Sequence, residues 1–508
     1  YPATRSPAAG CRAGSPGART MRTHRQTRPT TPEHAPASRA GASRNTLRLA
    51  CALAAALALG LAPAGCAARS SPTPLPYRAG APLDLSSPPT QRANGVTDRV
   101  AGRVADQTDT RPAEVSVLYA TNRRPKGNNG YSAKRGITTR LGIADVRFGN
   151  PNQTAGDVAR QLAKNKRPKV TVTALREFGE HWRSIPLSDP RFLELPGAPG
   201  GERREIDDHH PLAQPETLFI QELNRRVAGG RRILLYVPGF NTSFEAPLHL
   251  GAELGLYLRG ESVPVVFSWP ARSSPLGYSK QLTTADASVR ALRNFIELLI
   301  EQTDAEAIDV LSYSAGAPMV SDALMQLRLK HNDLRGTDLH ERLRIGSIIY
   351  AGADEDIDRF RAMYLDGFAD VAERITLYSS RRDAGLVLSE FLVRGSKRLG
   401  RLSENLTPSE RVLLSSLGNN TDIIDVSQAQ GRAGGGDIFS HAYWYGNPWV
   451  STDLIASIRS DRTPGQRGLQ RRPAPNNADE PQDPVWRFPR DYPQRVRAMF
   501  SQQRSNAE

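Results

Sequence analysis

Residues 308–316 have the sequence Ile-Asp-Val-Leu-Ser-Tyr-Ser-Ala-Gly and place a serine, Ser314, between a strand and a helix. The first four residues are a short, mainly apolar run typical of a buried strand, and apolar residues then recur at helical spacing. The small residues Ser312, Ala315 and Gly316 flank the serine, as a tight turn beside a neighbouring backbone requires. A serine that only caps the helix would occupy the same place, so this segment alone leaves a catalytic and a capping role open.

The chain between residues 113 and 457 continues this alternation of strands and helices. Short runs rich in β-branched residues alternate with segments of helical periodicity. Apolar runs begin at 115–119, and the predicted strands are 233–237, 263–268, 308–311, 345–351, 375–378 and 423–426. The pattern predicts an α/β fold with a mostly parallel sheet and helices on both faces. In such sheets, functional residues lie at the carboxyl ends of the strands.

The serine turn resembles the nucleophile elbow, G-x-S-x-G, of the α/β-hydrolase fold, with Ser312 in place of the first glycine. The resemblance implies a catalytic triad in the chain order serine, acid, histidine. His441 is the only histidine after the late strands, and it lies in a Gly-rich loop after the last one. Asp383, after strand 375–378, is the preferred acid, and Asp354, one strand earlier, is the alternative.

Two backbone amides are candidates for binding an oxyanion. One belongs to Ala315, at the start of the helix, and the other to Phe240, in the loop after strand 233–237. Related enzymes usually have His-Gly where this chain has Pro238-Gly239. Proline removes one backbone donor, but the Phe240 amide remains.

Together these residues resemble a bacterial family of α/β-hydrolases long catalogued as a domain of unknown function. Further similar segments, within about 115–455, are 119–123 (Tyr-Ala-Thr-Asn-Arg), 239–241, 267–270 (Phe-Ser-Trp-Pro), Tyr278, Asp286, 377–383 and Asn447-Pro448. The resemblance implies an α/β-hydrolase fold with Ser314, Asp383 and His441 as its triad.

From this triad we expect a serine hydrolase that forms an acyl-enzyme from an ester or thioester, with a small-molecule or lipid-like acyl substrate. No metal or organic cofactor is expected. The departures at Pro238 and Ser312 support a second hypothesis, a catalytically inactive envelope protein that keeps the fold for binding.

Residues 1–66 predict export. Residues 1–20 precede the first methionine, and an Arg-rich stretch then leads to the apolar run Leu49–Ala62 and to small residues ending at Cys66. The 14-residue apolar run is shorter than the roughly 20 residues of a membrane span. Ala64-Gly65-Cys66 resembles the end of a lipoprotein lipobox, with Pro63 where leucine is usual.

The resemblance to a lipobox implies an acylated Cys66 that holds the protein at a membrane of the bacterial cell envelope. The alternative is ordinary cleavage after Ala64, which would give a periplasmic or secreted protein.

The distribution of charge and the local composition divide the chain into a linker, a domain and a tail. Much of the formal net charge of +15 lies in residues 1–66, which hold nine arginines and one glutamate, so we expect no nucleic-acid partner. Residues 67–112 are rich in Ser, Pro, Arg and Thr and are predicted to be a disordered linker. The hydrolase domain should span 113–457. Residues 458–508 are predicted to be a mostly disordered basic tail rich in Pro and Arg, with one aromatic patch, 485–488, able to pack on the domain.

We expect Cys66→Ser to move the protein from the membrane fraction to soluble material or to unprocessed precursor. The acyl chains would be attached through this thiol, and each buried CH₂ contributes about 0.8 kcal/mol to membrane binding. Cell fractionation and mass spectrometry of the mature amino terminus test this expectation. An unmodified terminus at Gly65 would contradict it.

Overall fold

The computed structural model describes residues 110–127, 130–163, 168–183, 214–258, 260–271, 278–393, 397–402, 410, 414, 417–429, 441–471 and 485–505. The predictions for residues 1–66, including lipidation of Cys66, and for nearly all of the 67–112 linker lie outside these residues.

Eleven strands and eleven helices are assigned within the described ranges. The strands are β1 (Glu114–Pro125), β2 (Tyr131–Phe148), β3 (Val170–Arg183), β4 (Arg232–Val237), β5 (Ser262–Phe267), β6 (Ile308–Tyr313), β7 (Ile345–Ala351), β8 (Arg374–Ser379), β9 (Thr421–Asp425), β10 (Gln470–Arg471) and β11 (Val485–Arg487). The helices are α1 (Ala155–Ala163), α2 (Gln214–Val227), α3 (Glu245–Leu258), α4 (Tyr278–Gln302), α5 (Gly316–Lys330), α6 (Gly336–Leu343), α7 (Ile357–Leu365), α8 (Ala384–Val393), α9 (Tyr443–Gly446), α10 (Pro448–Arg459) and α11 (Tyr492–Ser505).

All eleven strands belong to one sheet, in the order β10-β11-β9-β8-β7-β6-β4-β5-β1-β2-β3. Neighbouring strands from β11 through β1 run parallel. The pairs at the two edges run antiparallel: β10 with β11 at one edge, and β1 with β2 and β2 with β3 at the other. The chain passes from β4 to β5 on one side and then returns to place β6 on the other side of β4. Such a reversal opens a crevice at the carboxyl ends of these strands.

Alternate side chains of β4 enter two separate apolar cores. Ile233, Leu235 and Val237 pack with residues of α2, α4, α5, α6 and α7. Leu234 and Tyr236 pack with residues of α1, α3, α10 and α11. Both faces of the sheet are therefore covered, which explains the continuous apolar runs in the central strands. The predicted mostly parallel sheet with helices on both faces is confirmed.

The described part of segment 458–508 is ordered, so the prediction of a mostly disordered tail is wrong there. Strand β11 pairs in parallel with β9 and extends the sheet. The rings of Phe488 and Tyr492 pack against Trp449 of α10, with centroids 6.3 and 5.7 Å from the Trp449 ring. Val496 and Met499 of α11 are buried in the same core. A few apolar residues at the right spacing outweigh the Pro- and Arg-rich composition on which the prediction rested.

A buried ion pair also fixes this segment to the domain. The Arg467 guanidinium donates to both carboxylate oxygens of Asp453 on α10, at 2.9 and 3.2 Å. The Tyr378 hydroxyl on β8 donates to the same carboxylate at 2.7 Å. Both charged side chains are fully buried, so each charge depends on its partner for compensation.

No helix in the described ranges has the length and apolar character needed to cross a membrane.

We expect Arg467→Met to lower the free energy of unfolding by about 3–5 kcal/mol, because it leaves the Asp453 carboxylate buried without its counter-charge. Arg459→Met is the matched control, since it removes an ion pair with Glu261 that is much more exposed. That variant should lose less than about 1 kcal/mol. Thermal and urea denaturation measure both, and equal losses would contradict the assignment.

Candidate active site

Ser314 lies at the crevice, between the end of β6 and the start of α5. Its φ is +53°, a left-handed conformation that is uncommon for a residue with a side chain. Three backbone hydrogen bonds hold it there. Its amide donates to the Ala351 carbonyl at 3.2 Å, and its carbonyl accepts from the amides of Asp354 at 3.1 Å and Ala317 at 3.0 Å. The turn is therefore tied to the end of β7 as well as to its own helix.

Two glycines allow this turn to contact the loop after β4. A Cβ on Gly316 would lie 2.7 Å from the Pro238 carbonyl oxygen, and a Cβ on Gly239 would lie 2.7 Å from the Ser314 Cβ. Neither distance is possible between real atoms, so both positions require glycine. Ser312 fits where the elbow motif has its first glycine, because its hydroxyl is buried and directed at the Ile349 carbonyl of β7.

A chain of hydrogen bonds joins the three residues predicted as a triad. The His441 Nε2 lies 2.5 Å from the Ser314 Oγ. The His441 Nδ1 lies 2.8 and 3.0 Å from the two carboxylate oxygens of Asp383. Asp383 is fully buried, whereas about a quarter of the His441 side chain is exposed. The imidazole therefore connects a buried carboxylate to the Ser314 hydroxyl and can accept the hydroxyl proton.

Asp383 also begins α8. Its Oδ1 accepts a hydrogen bond from the Leu386 amide at 3.0 Å, which is the contact of an N-cap residue. In the first turn of the helix, a Cβ on Gly385 would lie 2.8 Å from the His441 Cγ. The helix start thus orients the carboxylate and leaves room for the imidazole at the same time.

The charge of Asp383 determines the protonation of His441. Burial disfavours the imidazolium, but the Coulombic attraction and the hydrogen bond of Asp383 outweigh it, so the pKa of His441 is raised above its ordinary value. The negative charge of Asp354 adds to this shift in pKa. The site therefore stabilises the protonated histidine that forms when a hydroxyl gives up its proton.

Asp354, the alternative acid, has other partners. Its carboxylate accepts a hydrogen bond from Ser389 on α8 at 2.6 Å and forms an ion pair with Arg398 at 3.2 Å. Asp383 is the carboxylate within hydrogen-bond distance of His441, and Asp354 connects the end of β7 to α8 instead.

The two oxyanion candidates belong to the serine turn and to the loop that contacts it. Ala315 follows it directly and is the N-cap residue of α5, where amides are directed away from the helix. Phe240 lies in the loop after β4, next to Gly239. The Trp269 indole donates to the Pro238 carbonyl at 2.7 Å and fixes the start of this loop. Proline at 238 is therefore compatible with an ordered loop.

Two contacts of the site were not predicted from the sequence. The Tyr313 hydroxyl donates to the His441 carbonyl at 3.1 Å, and the two rings lie 5.0 Å apart. Arg123 donates to backbone carbonyls at the end of the loop after β4. Sequence reasoning used the segment 119–123 only for its resemblance to the family, and the available signal was an arginine near the end of a mainly apolar strand.

The fold and this site define the chain as an α/β hydrolase. Residues 214–458 match the model of the family described as alpha/beta hydrolase of unknown function (DUF900), so this segment is similar to that family. Two similar solved structures are esterase B from Lactobacillus rhamnosis and an esterase from Pyrobaculum calidifontis in a monoclinic form. They share 12% and 13% sequence identity with the chain, at TM-scores of 0.25 and 0.24. Each match covers 46% of this chain, and 76% and 79% of the other chains. A search of curated proteins found no match.

We expect Asp383→Asn to lower the pKa of His441, because it removes the charge that raises this pKa. Asparagine can still accept the Leu386 amide, so the start of α8 should persist. Asp354→Asn should lower the pKa of His441 less, since its charge makes the smaller contribution. Titration of the imidazole by ¹⁵N NMR measures both variants. A larger decrease in Asp354→Asn would assign the dominant carboxylate to β7.

Proposed function

We propose that the protein is an exported serine hydrolase that cleaves a carboxylic ester or thioester through an acyl-enzyme. The observation that carries the proposal is the hydrogen-bond chain from Asp383 through His441 to Ser314. A serine that only capped α5 would need neither the histidine nor the buried carboxylate. The family match supports the hydrolase class, and the site supports the chemistry.

In the first half of the proposed reaction, the Ser314 Oγ attacks the carbonyl carbon while the His441 Nε2 takes the hydroxyl proton. Asp383 stabilises the imidazolium, and the amides of Phe240 and Ala315 bind the oxyanion. The bond to the leaving alcohol or thiol then breaks, and His441 donates the proton to it. The acyl group remains on Ser314 as an ester.

In the second half, water attacks the acyl-enzyme. His441 takes a proton from the water, and the resulting tetrahedral intermediate collapses. The Ser314 oxygen leaves with the proton from His441, so a carboxylic acid is released and the free enzyme is restored.

The surface of α8 supports an apolar acyl group. Val387 and Phe391 are 45% and 65% exposed, although both side chains are large and apolar. They lie four residues apart and therefore on one face of the helix that begins at Asp383. Exposed apolar side chains close together mark binding surfaces more often than isolated ones do. We therefore propose that the substrate is an ester with a lipid-like acyl chain that packs on this face.

The location in the cell envelope remains a proposal that rests on residues 21–66 alone. A lipid anchor at Cys66 would hold the hydrolase close to substrates of this class.

We expect Ser314→Ala to abolish labelling by a fluorophosphonate probe and to lower the hydrolysis of p-nitrophenyl acetate by at least about 10³-fold. Ser312→Ala is the matched control, because it removes a neighbouring hydroxyl that is directed at the Ile349 carbonyl of β7. That variant should keep both activities within a few fold. In a series of longer esters, Phe391→Ser should reduce kcat/KM for the long chains and leave the acetate unchanged.

Three other results would contradict the proposed function in different ways. A wild-type protein that neither reacts with the probe nor hydrolyses esters would support the inactive binding protein instead. Labelling that persists in Ser314→Ala would place the nucleophile elsewhere, with Ser312 as the first candidate. An equal effect of Phe391→Ser on all esters would argue against acyl binding on α8.

A further inference from the structure

Arg123 is a buried arginine that the proposed reaction does not use. It lies near the end of β1 and is 1% exposed, among the most deeply buried large side chains in the described ranges. Burial disfavours its charge and lowers the pKa of Arg123 to about 10, although Glu245 acts in the opposite direction. The guanidinium is therefore still charged at neutral pH. A buried charge is costly unless the fold gives it several acceptors.

The acceptors of Arg123 are backbone groups at the end of the loop after β4. Its Nη2 donates to the Thr242 carbonyl at 3.0 Å and to the Ser243 carbonyl at 3.3 Å. Its Nε donates to the Ser268 hydroxyl at 3.2 Å, just after β5. Both carbonyls precede α3. One guanidinium therefore spans the end of this loop and the end of β5.

The loop is held at both ends. Trp269 binds the carbonyl of Pro238 at its start, and Arg123 binds the carbonyls at its end. Phe240 lies between these two points, followed by Asn241, whose φ of +60° is left-handed. A non-glycine residue persists in this conformation when its surroundings enforce it.

Arg123 is itself held by the two residues before it. The Thr121 hydroxyl donates to the Ser268 carbonyl at 2.6 Å and accepts from the Arg123 amide at 3.2 Å. The Asn122 amide group donates to the Ser288 hydroxyl of α4 at 2.9 Å. The segment Thr-Asn-Arg thus forms a buried polar network between β1, β5 and α4. This network gives the guanidinium one orientation.

We propose that Arg123 is a positioning residue that holds the loop after β4 so that the Phe240 amide faces the oxyanion. The inference rests on the proposed hydrolase function, because it assigns this residue a part in the same reaction. Arg123 acts through the carbonyls of Thr242 and Ser243 and has no contact with the reacting atoms. Transition-state binding is therefore expected to depend on it more than substrate binding does.

Lysine is the informative substitution. It keeps the positive charge, but a single ammonium group cannot reproduce the planar fork that reaches both the loop and Ser268. We expect Arg123→Lys to lower kcat by about 10²-fold, the range found when an oxyanion donor is lost, and to change KM less than threefold. The inhibition constant of an alkylboronic acid, which forms a tetrahedral adduct with an active serine, should rise by a similar factor.

Arg226→Lys is the matched control. Arg226 is also buried and donates to a backbone carbonyl, that of Ser116 on the same strand β1, but it has no contact with the loop after β4. Active sites are counted by fluorophosphonate titration, and the melting temperature is measured for both variants. A merely structural role would lower stability and the number of active sites without changing kcat per site. We expect kcat per site to fall in Arg123→Lys alone.

Trp269→Phe provides a second test at the other end of the loop and decides the question if Arg123→Lys does not fold. It removes the donor to the Pro238 carbonyl, keeps an aromatic side chain, and should weaken boronate binding in the same direction. The proposal is overturned if Arg123→Lys folds and keeps kcat within threefold of the wild type, or if Arg226→Lys loses as much kcat as Arg123→Lys does. If Arg123→Lys does not fold, the proposal is overturned when Trp269→Phe leaves boronate binding unchanged. Failure of the hydrolase proposal would look different, because the wild-type protein itself would then neither react with the fluorophosphonate probe nor hydrolyse esters.

Discussion

The close contact between the serine turn and the loop after β4 is the constraint on which the site depends. Ser314 adopts a left-handed conformation, and only glycine at 239 and 316 leaves enough space for the two backbones to meet. The same contact brings the Phe240 segment beside the serine. It requires β4 and β6 to be neighbours, which the reversal of strand order at β4 provides. Fold and site therefore share one geometric requirement.

Polar groups around this contact both stabilise the fold and influence the chemistry of the site. Asp383 caps α8 and raises the pKa of His441. Asp354 gives its amide to the Ser314 carbonyl, while its carboxylate connects α8 to Arg398. Buried charges of this kind are costly when they are left unpaired, so each contact constrains the next. A substitution at one of these residues is therefore expected to disturb several helices and strands.

Much of the central sheet was predictable, because strands buried on both faces are continuous apolar runs. The three residues 314, 383 and 441 were identified by their place after such strands. Asp383 was preferred over Asp354 from the sequence, but both follow a strand, and the packing of α8 distinguishes their partners. The outer strands β2 and β3 were missed because their many charged residues obscure the strand pattern.

Apart from the aromatic patch 485–488, which was expected to pack on the domain, the ordered part of the tail was missed for a related reason. Its composition is that of a disordered segment, and the buried residues Phe488, Tyr492 and Arg467 are few and widely spaced. Their effect depends on partners such as Trp449 and Asp453, which lie on another helix. A local pattern cannot report contacts of this kind. The role of Arg123 was hidden in the same way, since its acceptors lie about 120 residues further along the chain.

The order of these parts along the chain has a consequence for synthesis. The serine turn emerges from the ribosome first, the acid about 70 residues later and the histidine almost 60 residues after that. The second helix after the histidine, α10, packs against Phe488 and α11, and α11 is made last of the described elements. A partly synthesised chain therefore contains the serine without its base. Hydrogen bonding of the serine to the histidine can begin only when most of the polypeptide has left the ribosome.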